Sequence, residues 1–247
     1  MMIPTDPIWD MMGQLFQQHP WHGVTIGPES PEMITCYVEM VSNDTIKYEL
    51  DKVTGHLKVD RPQKYSNICP TLYGLVPQTY CAEKVADRCN EALGRNDIVG
   101  DHDPLDICVL TEKNINHGNF FLQAIPIGGL RMLDGNEADE KIVAVMKDDR
   151  LYGHMRDIDD LPKPLLDRLR HYFLTYKEAP DYLTDQSNNR IVEIPEIYSR
   201  EEAFEVIKRS QEDYTEYFSH IKGMLTKMLR GPWFDMSSKD VVDKPSV

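Results

Sequence analysis

The sequence predicts an α+β domain in which a small antiparallel β-sheet or barrel is followed by helices. Residues 33–61 alternate apolar and polar side chains with the period of two that is typical of β-strands. Long apolar stripes at helical spacing follow only after about residue 160. Strands therefore precede helices without the strand–helix–strand alternation of a parallel sheet, and this order favours the α+β class.

Composition sets the broad class of the protein. The chain has 247 residues, enough to bury a core as one domain with appendages, and a formal net charge of −14 argues against a nucleic-acid or anionic-membrane partner. Five widely spaced cysteines without a C-x-x-C pair indicate free thiols in a reducing compartment. We find neither a signal peptide nor a run of ~18 apolar residues and therefore expect a cytoplasmic protein.

The first strands are predicted from the alternation of their side chains. The strand over residues 34–40 buries one face and points Glu39 the other way. The strand over 45–51 repeats this pattern, and a turn ending at Gly55, where a positive φ is favourable, leads into a third strand over 56–61.

Later elements are predicted from apolar runs, apolar stripes and turn residues. The runs at 107–110 and 141–146 are apolar enough for buried strands, and Gly128-Gly129 interrupts a long strand over 120–133. A helix begins near 162. The other predicted elements are a short helix over 10–18, a turn at 20–23, a short strand or turn within 70–77, a helical or irregular segment over 82–97, and a long helix that begins at Ser199 with a capping box and ends at Gly231-Pro232.

We interpret residues 1–235 as one domain and residues 236–247 as a polar tail. Residues 1–30 form an N-terminal extension of the domain, 82–97 an insertion, and 199–230 a long C-terminal helix. The sequence shows no internal repeat.

One acidic stretch stands directly before a predicted strand. Asp101, Asp103 and Asp106 lie within six residues, and carboxylates this close repel one another unless positive charge lies among them. Hard divalent cations such as Mg²⁺ or Ca²⁺ are the natural candidates, and a simply solvated loop is the alternative. A calcium helix-loop-helix is excluded, because Leu105 and Asp106 occupy loop positions five and six.

A second acidic loop, residues 134–140, also connects two predicted strands. Taken alone, D-G-N-E is common turn chemistry. Two acidic loops at strand ends instead predict that Asp134 and Asp139 join the first cluster around shared cations.

Candidate anion-binding residues stand near the ends of the predicted elements. The guanidinium of Arg61 can bind a phosphate with two parallel hydrogen bonds, and tyrosine hydroxyls can donate to an anion. A solvated side chain is the alternative for each lysine, and core packing is the alternative for Tyr176. The candidates are Lys47, Arg61, Tyr73, Lys141, Tyr176 and Lys177.

The residues from about Tyr37 to Lys177 resemble, in order, the family I soluble inorganic pyrophosphatases. The most specific element is D-x-D-P-x-D at 101–106. His102 departs from the family pattern, which has glycine there, and a solvent-facing ring or a softer metal such as Mn²⁺ or Zn²⁺ would account for it. The resemblance is carried by Glu39, I-K-Y-E at 46–49, V-D-R at 59–61, Tyr73-Gly74, G-D-H-D-P-L-D at 100–106, the 134–141 loop and Tyr176-Lys177.

The resemblance implies a five-stranded antiparallel OB-like barrel flanked by C-terminal helices. It also implies Mg²⁺-dependent hydrolysis of inorganic pyrophosphate to two phosphates by a homo-oligomer, with Asp103 as the general base for a metal-activated water. Lys47, Arg61, Tyr73, Lys141, Tyr176 and Lys177 would bind the phosphates. Asp101, Asp106, Asp134 and Asp139 would ligate the metals directly, and Glu39 and Glu49 mainly through water.

Three alternatives remain at this point. The protein could hydrolyse a related phosphoanhydride in a nucleotide or polyphosphate, or bind metal without turnover. The third alternative, a non-catalytic OB-type binding module for nucleic acid, should carry a basic groove with stacking aromatics. The strand faces here present Glu39, Glu49 and the aspartates instead.

Overall fold

The computed structural model describes residues 18–177 and 191–229, with the backbone alone over 221–229. Its elements place most strands before the last two helices, as predicted. The strands are β1 (Ile34–Met40), β2 (Ile46–Leu50), β3 (Leu57–Pro62), β4 (Leu72–Leu75), β5 (Val99–Gly100), β6 (Asp106–Leu110), β7 (Phe120–Asp134), β8 (Glu137–Ala138), β9 (Lys141–Met146) and β10 (Val192–Tyr198), and the helices are α1 (Glu83–Leu93), α2 (Lys163–Thr175) and α3 (Arg200–Leu229).

Five strands form a closed circuit of hydrogen-bonded pairs. In this circuit β1 pairs with β4, β4 with β6, β6 with β9, β9 with β7, and β7 again with β1. The β6–β9 pairing is parallel and the others in the circuit are antiparallel. The sheet is therefore mixed rather than purely antiparallel. Along the chain β7 lies between β6 and β9, so that β9 runs beside β6 in the same direction.

The longest strand, β7, pairs with four other strands, and its pairing is irregular near its glycines. Its first part pairs with β1, its middle with β9 and its end with β10 and β8. The register against β9 shifts between Pro126 and Gly128. A Cβ at Gly129 would lie 2.3 Å from the ring of Tyr198, so only glycine permits this close approach of β10. The predicted interruption is thus a bulge within one continuous strand.

Strand β6 is buried on both faces. Ile107 and Val109 of β6 pack in a core cluster with α1 and α3, whereas Cys108 and Leu110 pack in a second cluster with α2. This alternation is what a period of two dictates for a strand covered on both sides. The five cysteines are free, as predicted, and all five are buried.

Strand β10 and the short strands β5 and β8 were not predicted from the sequence. In β10 the pairing with β7 shifts register between Glu193 and Glu196, on either side of Pro195. A proline removes a ladder donor and obscures the strand pattern, which explains the miss. The short helix over 10–18, the Gly231-Pro232 helix end and the tail over 236–247 lie wholly or almost wholly outside the described residues.

The segment over 82–97 is a regular helix, α1, over most of its length. The long helix α3 begins one residue after Ser199, close to the predicted start, and turns Ala203, Val206 and Ile207 into the core. Across the described ranges, none of the helices has the length and apolarity needed to span a bilayer.

Candidate active site

The acidic loop before β6 is held by hydrogen bonds to the segment that precedes α1. The backbone N–H of Cys81 donates to the carbonyl of Asp103 at 2.9 Å, and that of Leu105 donates to Thr79 Oγ1 at 2.9 Å. Within the loop, the backbone N–H of Asp103 donates to the carboxylate of Asp101 at 3.0 Å. The carboxylates therefore have defined positions at the start of β6.

The parallel pairing of β6 and β9 places Asp106 opposite Lys141. Lys141 Nζ donates to Asp106 Oδ2 at 2.5 Å and also to Asp139. Burial works to lower the pKa of Lys141, but Asp106 and Asp139 outweigh it and raise that pKa well above its usual value. Burial likewise works against ionised Asp139, yet Lys141 and Lys177 lower its pKa. Lys141 and Asp139 therefore form a buried ion pair, with the partly exposed Asp106 as the second partner of the lysine.

Two further carboxylates border this cluster, and nearby positive charge does not offset the effect of burial on their pKa values. Burial raises the pKa of Glu39 to about 8, and Asp106 adds to the effect. Burial and the nearby Asp139 and Asp106 raise the pKa of Asp101 well above its usual range. Four of the predicted metal ligands, Glu39, Asp101, Asp106 and Asp139, thus lie close enough for repulsion between them, and the cluster calls for additional positive charge.

The donor set of this cluster suits a hard cation. Within the described part of the chain, no three acidic, histidine or cysteine side chains, as they are placed, are grouped tightly enough to hold a metal ion. Lysine ammonium groups lie between the carboxylates instead, as with Lys141 between Asp106 and Asp139. Carboxylate oxygens are the ligands that Mg²⁺ or a similar divalent ion prefers, and the raised pKa values of Glu39 and Asp101 indicate room for further positive charge.

The predicted phosphate ligands surround the cluster, and several of them contact carboxylates. Tyr73 donates its hydroxyl to Asp106 Oδ2 at 2.5 Å, and Lys177 Nζ lies 2.5 Å from Asp134 Oδ2. Tyr176 is buried among the aromatic residues of α2, so the core-packing alternative holds for its ring. The guanidinium of Arg61 lies over that ring at 5.9 Å, which places Tyr176 beside the basic set as well.

An open cleft adjoins the cluster at the β2–β3 hairpin. Lys47 Nζ lies there, 3.4 Å from Glu49 and 3.3 Å from Asp60. Lys52 donates to Asp103 from the hairpin turn. Sequence reasoning assigned Lys52 only to a turn, and its place between two strands that carry candidate residues was the one available signal. The lining includes Glu39, Lys47, Glu49, Lys52, Asp103 and Asp106.

His102 faces away from these carboxylates toward aromatic residues. Its ring is exposed, and Nδ1 lies 3.1 Å from the hydroxyl of Tyr80. Its φ of 60° is the left-handed conformation in which glycine is the usual residue. The structure thus favours an exposed ring over a metal ligand.

Comparison with known proteins identifies the family. The family model for inorganic pyrophosphatase matches residues 36–215. The chain belongs to the inorganic pyrophosphatase family. The inorganic pyrophosphatase of Chlamydia muridarum is 52% identical over 200 residues, which cover 81% of this chain and 95% of that protein. The soluble inorganic pyrophosphatase of Oryza sativa subsp. indica is 37% identical over 199 residues, which cover 81% and 80%.

A solved structure supports the same family. The crystal structure of inorganic pyrophosphatase from Thermus thermophilus matches with a TM-score of 0.65 and 25% identity, covering 81% of this chain and 99% of that chain. The family match of residues 36–215 extends past the expected end at Lys177. The match therefore includes β10 and the part of α3 up to residue 215.

Proposed function

We propose that this protein hydrolyses inorganic pyrophosphate to two phosphates. The observation that carries the proposal is the contact of Lys141 with Asp106 and Asp139 beside an open cleft, in a chain of the inorganic pyrophosphatase family. Phosphoryl transfer depends mainly on positioning and on neutralising charge, and this cluster supplies groups for both.

We infer that the cleft takes several divalent cations, with Mg²⁺ as the preferred ion and Mn²⁺ or Zn²⁺ as substitutes. Bound there, they would neutralise the substrate and lower the pKa of a water. The crowding of Asp101, Asp106 and Asp139 supports this inference. The ligands would be Asp101, Asp106, Asp134 and Asp139 directly, and Glu39 and Glu49 through water.

Asp103 is the residue we assign as general base. Its side chain is 46% exposed on the cleft, so a water can reach it. Its backbone is held from Cys81 and by the carboxylate of Asp101, so the carboxylate would accept a proton at a fixed position.

The phosphates would be held by cations and hydroxyls around the cleft. Lys47 and Arg61 are partly exposed and can meet an entering anion, whereas Lys141 and Tyr176 are buried. The buried pair would contribute charge and a hydrogen bond at the base of the cleft. The full assigned set is Lys47, Arg61, Tyr73, Lys141, Tyr176 and Lys177.

The wider assignments follow from the same proposal. We infer that the closed strand circuit is a five-stranded barrel of OB type, that residues 1–235 form one domain, and that the protein is a cytoplasmic homo-oligomer without a nucleic-acid partner. The net charge of −14 supports the last point.

The proposal is tested by phosphate release from pyrophosphate, ATP and tripolyphosphate with Mg²⁺. We expect pyrophosphate to be strongly preferred, and a preference for the longer substrates would contradict the proposal. Asp103→Asn should abolish turnover while Mg²⁺ binding, measured by calorimetry, is largely kept. Asp87→Asn, on the exposed side of α1, is the matched control and should behave as wild type.

A further inference from the structure

Lys52 stands at the mouth of the cleft and forms an ion pair across it. It lies in the turn between β2 and β3, and its Nζ donates to Oδ1 of Asp103 in the acidic loop. The two side chains are 40% and 46% exposed, so a solute in the cleft can reach both. An exposed ion pair contributes only about 0–1 kcal/mol, which makes it easy to exchange for a stronger partner.

The backbone of this turn is held in place from two sides. Asp51 Oδ1 accepts hydrogen bonds from the backbone N–H groups of Val53 at 3.2 Å and Thr54 at 2.8 Å. From the N-terminal segment, His19 Nε2 lies 3.2 Å from the carbonyl of Lys52. A lysine on an anchored turn keeps its ammonium group near one place, whereas a lysine on a free loop does not.

An anion that enters the cleft needs an exposed positive charge, because the buried lysine of the cluster is already paired. Lys141 is 1% exposed and already paired with two carboxylates. Lys47 and Lys52 both line the cleft, and they are 20% and 40% exposed. In a protein with a net charge of −14, an entering anion needs such accessible ammonium groups.

We propose that Lys52 is a phosphate-binding residue that releases Asp103 when the substrate enters. This inference rests on the proposed function. Without substrate, the ammonium group pairs with Asp103. When pyrophosphate enters, a phosphate oxygen takes over that hydrogen bond, because an oxygen of a multiply charged phosphate is a stronger partner than an exposed carboxylate. The Asp103 carboxylate is then free to accept the proton of the attacking water.

Steady-state kinetics of Lys52→Met, Lys52→Arg and Lys58→Met test the exchange. Lys58 is the control, because it lies on β3 of the same hairpin, is 50% exposed and pairs with Asp51 at 3.5 Å. We expect Lys52→Met to raise KM for pyrophosphate about tenfold, as for the loss of one hydrogen bond to a charged group, with kcat changed less than about threefold. Lys52→Arg should restore KM to within about threefold, since it keeps the charge.

Binding of methylenediphosphonate, which is not hydrolysed, gives a second readout by calorimetry. Lys52→Met should weaken this binding about tenfold, in step with KM, while Lys58→Met leaves it unchanged. An unchanged KM and an unchanged affinity in Lys52→Met would overturn the assignment of Lys52 while wild type still hydrolyses pyrophosphate. Absence of hydrolysis by wild type would instead overturn the proposed function.

Discussion

The carboxylate of Asp213 on α3 accepts a hydrogen bond from the backbone N–H of Ala82 at 3.0 Å. It also accepts from the N–H groups of Lys84 at 3.1 Å and Val85 at 3.2 Å. Ala82 stands at the N-cap of α1 and has no side-chain oxygen of its own. A side chain of α3 therefore caps the N-terminus of α1. The residue before this cap, Cys81, donates the backbone hydrogen bond that holds the acidic loop.

Asp213→Ala should destabilise the protein by about 1–2 kcal/mol, because the first turn of α1 loses its cap. Asp213→Asn keeps one acceptor oxygen and should lose less. Urea unfolding measures both, with Glu212→Ala on the exposed side of α3 as the control. Equal stability of Asp213→Ala and Glu212→Ala would show that the cap contributes nothing.

The buried guanidinium of Arg131 on β7 forms ion pairs with β10, with α3 and with the connection between β8 and β9. Its guanidinium donates to Glu140 at 2.7 Å, to Glu196 at 2.7 Å and to Glu202 at 2.5 Å. Both Arg131 and Glu140 have fully buried side chains, and burial raises the pKa of Glu140 to about 7 even with the arginine present. The glutamate therefore depends on its partner to remain charged.

Arg131→Met should cost about 3–5 kcal/mol of unfolding free energy near pH 8, because it leaves an uncompensated buried carboxylate. Without the arginine, the pKa of Glu140 rises further, so protonation at low pH should recover part of the loss. Arg209→Met, at an exposed pair with Glu205, should change stability by less than about 1 kcal/mol. A loss in Arg131→Met that is small, or the same at pH 5 and pH 8, would contradict this account.

We expect His22 to make folding sensitive to acid. Its ring stacks on Trp21, and Nδ1 lies 2.8 Å from the hydroxyl of Tyr214. Burial, with a contribution from His19, lowers the pKa of His22 from 6.5 to about 4. Because the folded pKa is depressed, the stability contributed by neutral His22 is present above pH 6.5 and is lost as pH falls toward 4.

The loss at pH 5 relative to pH 7.5 should be about 1 kcal/mol from this residue, after allowance for partial exposure. In His22→Gln this part of the pH dependence should disappear, whatever its effect at neutral pH. Unfolding by urea at the two pH values, compared between variant and wild type, isolates the difference. An unchanged pH dependence in His22→Gln would count against the role of His22.

The strands of the circuit were largely predictable because their signals are local. The strand over Ile34–Met40 and that over Lys141–Met146 were predicted with the observed limits. Alternation and apolar runs involve only consecutive residues, so the sequence alone shows them. Strand β10 was missed because Pro195 and the register shift beside it obscure the pattern. The parallel β6–β9 pairing could not be predicted either, since it depends on how the intervening strand β7 pairs within the sheet.

The residues of the candidate site were also predictable, but the contacts that they make with one another were not. Asp106, Lys141 and Tyr73 were singled out from their positions at strand ends and from the resemblance. Their direct contacts come from the parallel register of β6 and β9 and the antiparallel register of β4 and β6, which bring residues distant in sequence together. Lys52 was missed because a lysine in a turn is normally solvated, and only the folded hairpin shows that it reaches Asp103.

Tyr73→Phe tests whether the hydroxyl on Asp106 matters for hydrolysis as well as for stability. Tyr73 donates to Asp106 at 2.5 Å, so the variant leaves that carboxylate less well oriented for a cation or a phosphate. We expect a fall of about tenfold in kcat/KM for pyrophosphate and a loss of about 1 kcal/mol in unfolding free energy. Tyr172→Phe is the matched control, since its hydroxyl lies 3.2 Å from Gln63, outside the cluster. It should lose similar stability and keep its kcat/KM. Equal kcat/KM values for the two variants would show that the Tyr73 hydroxyl serves the fold alone.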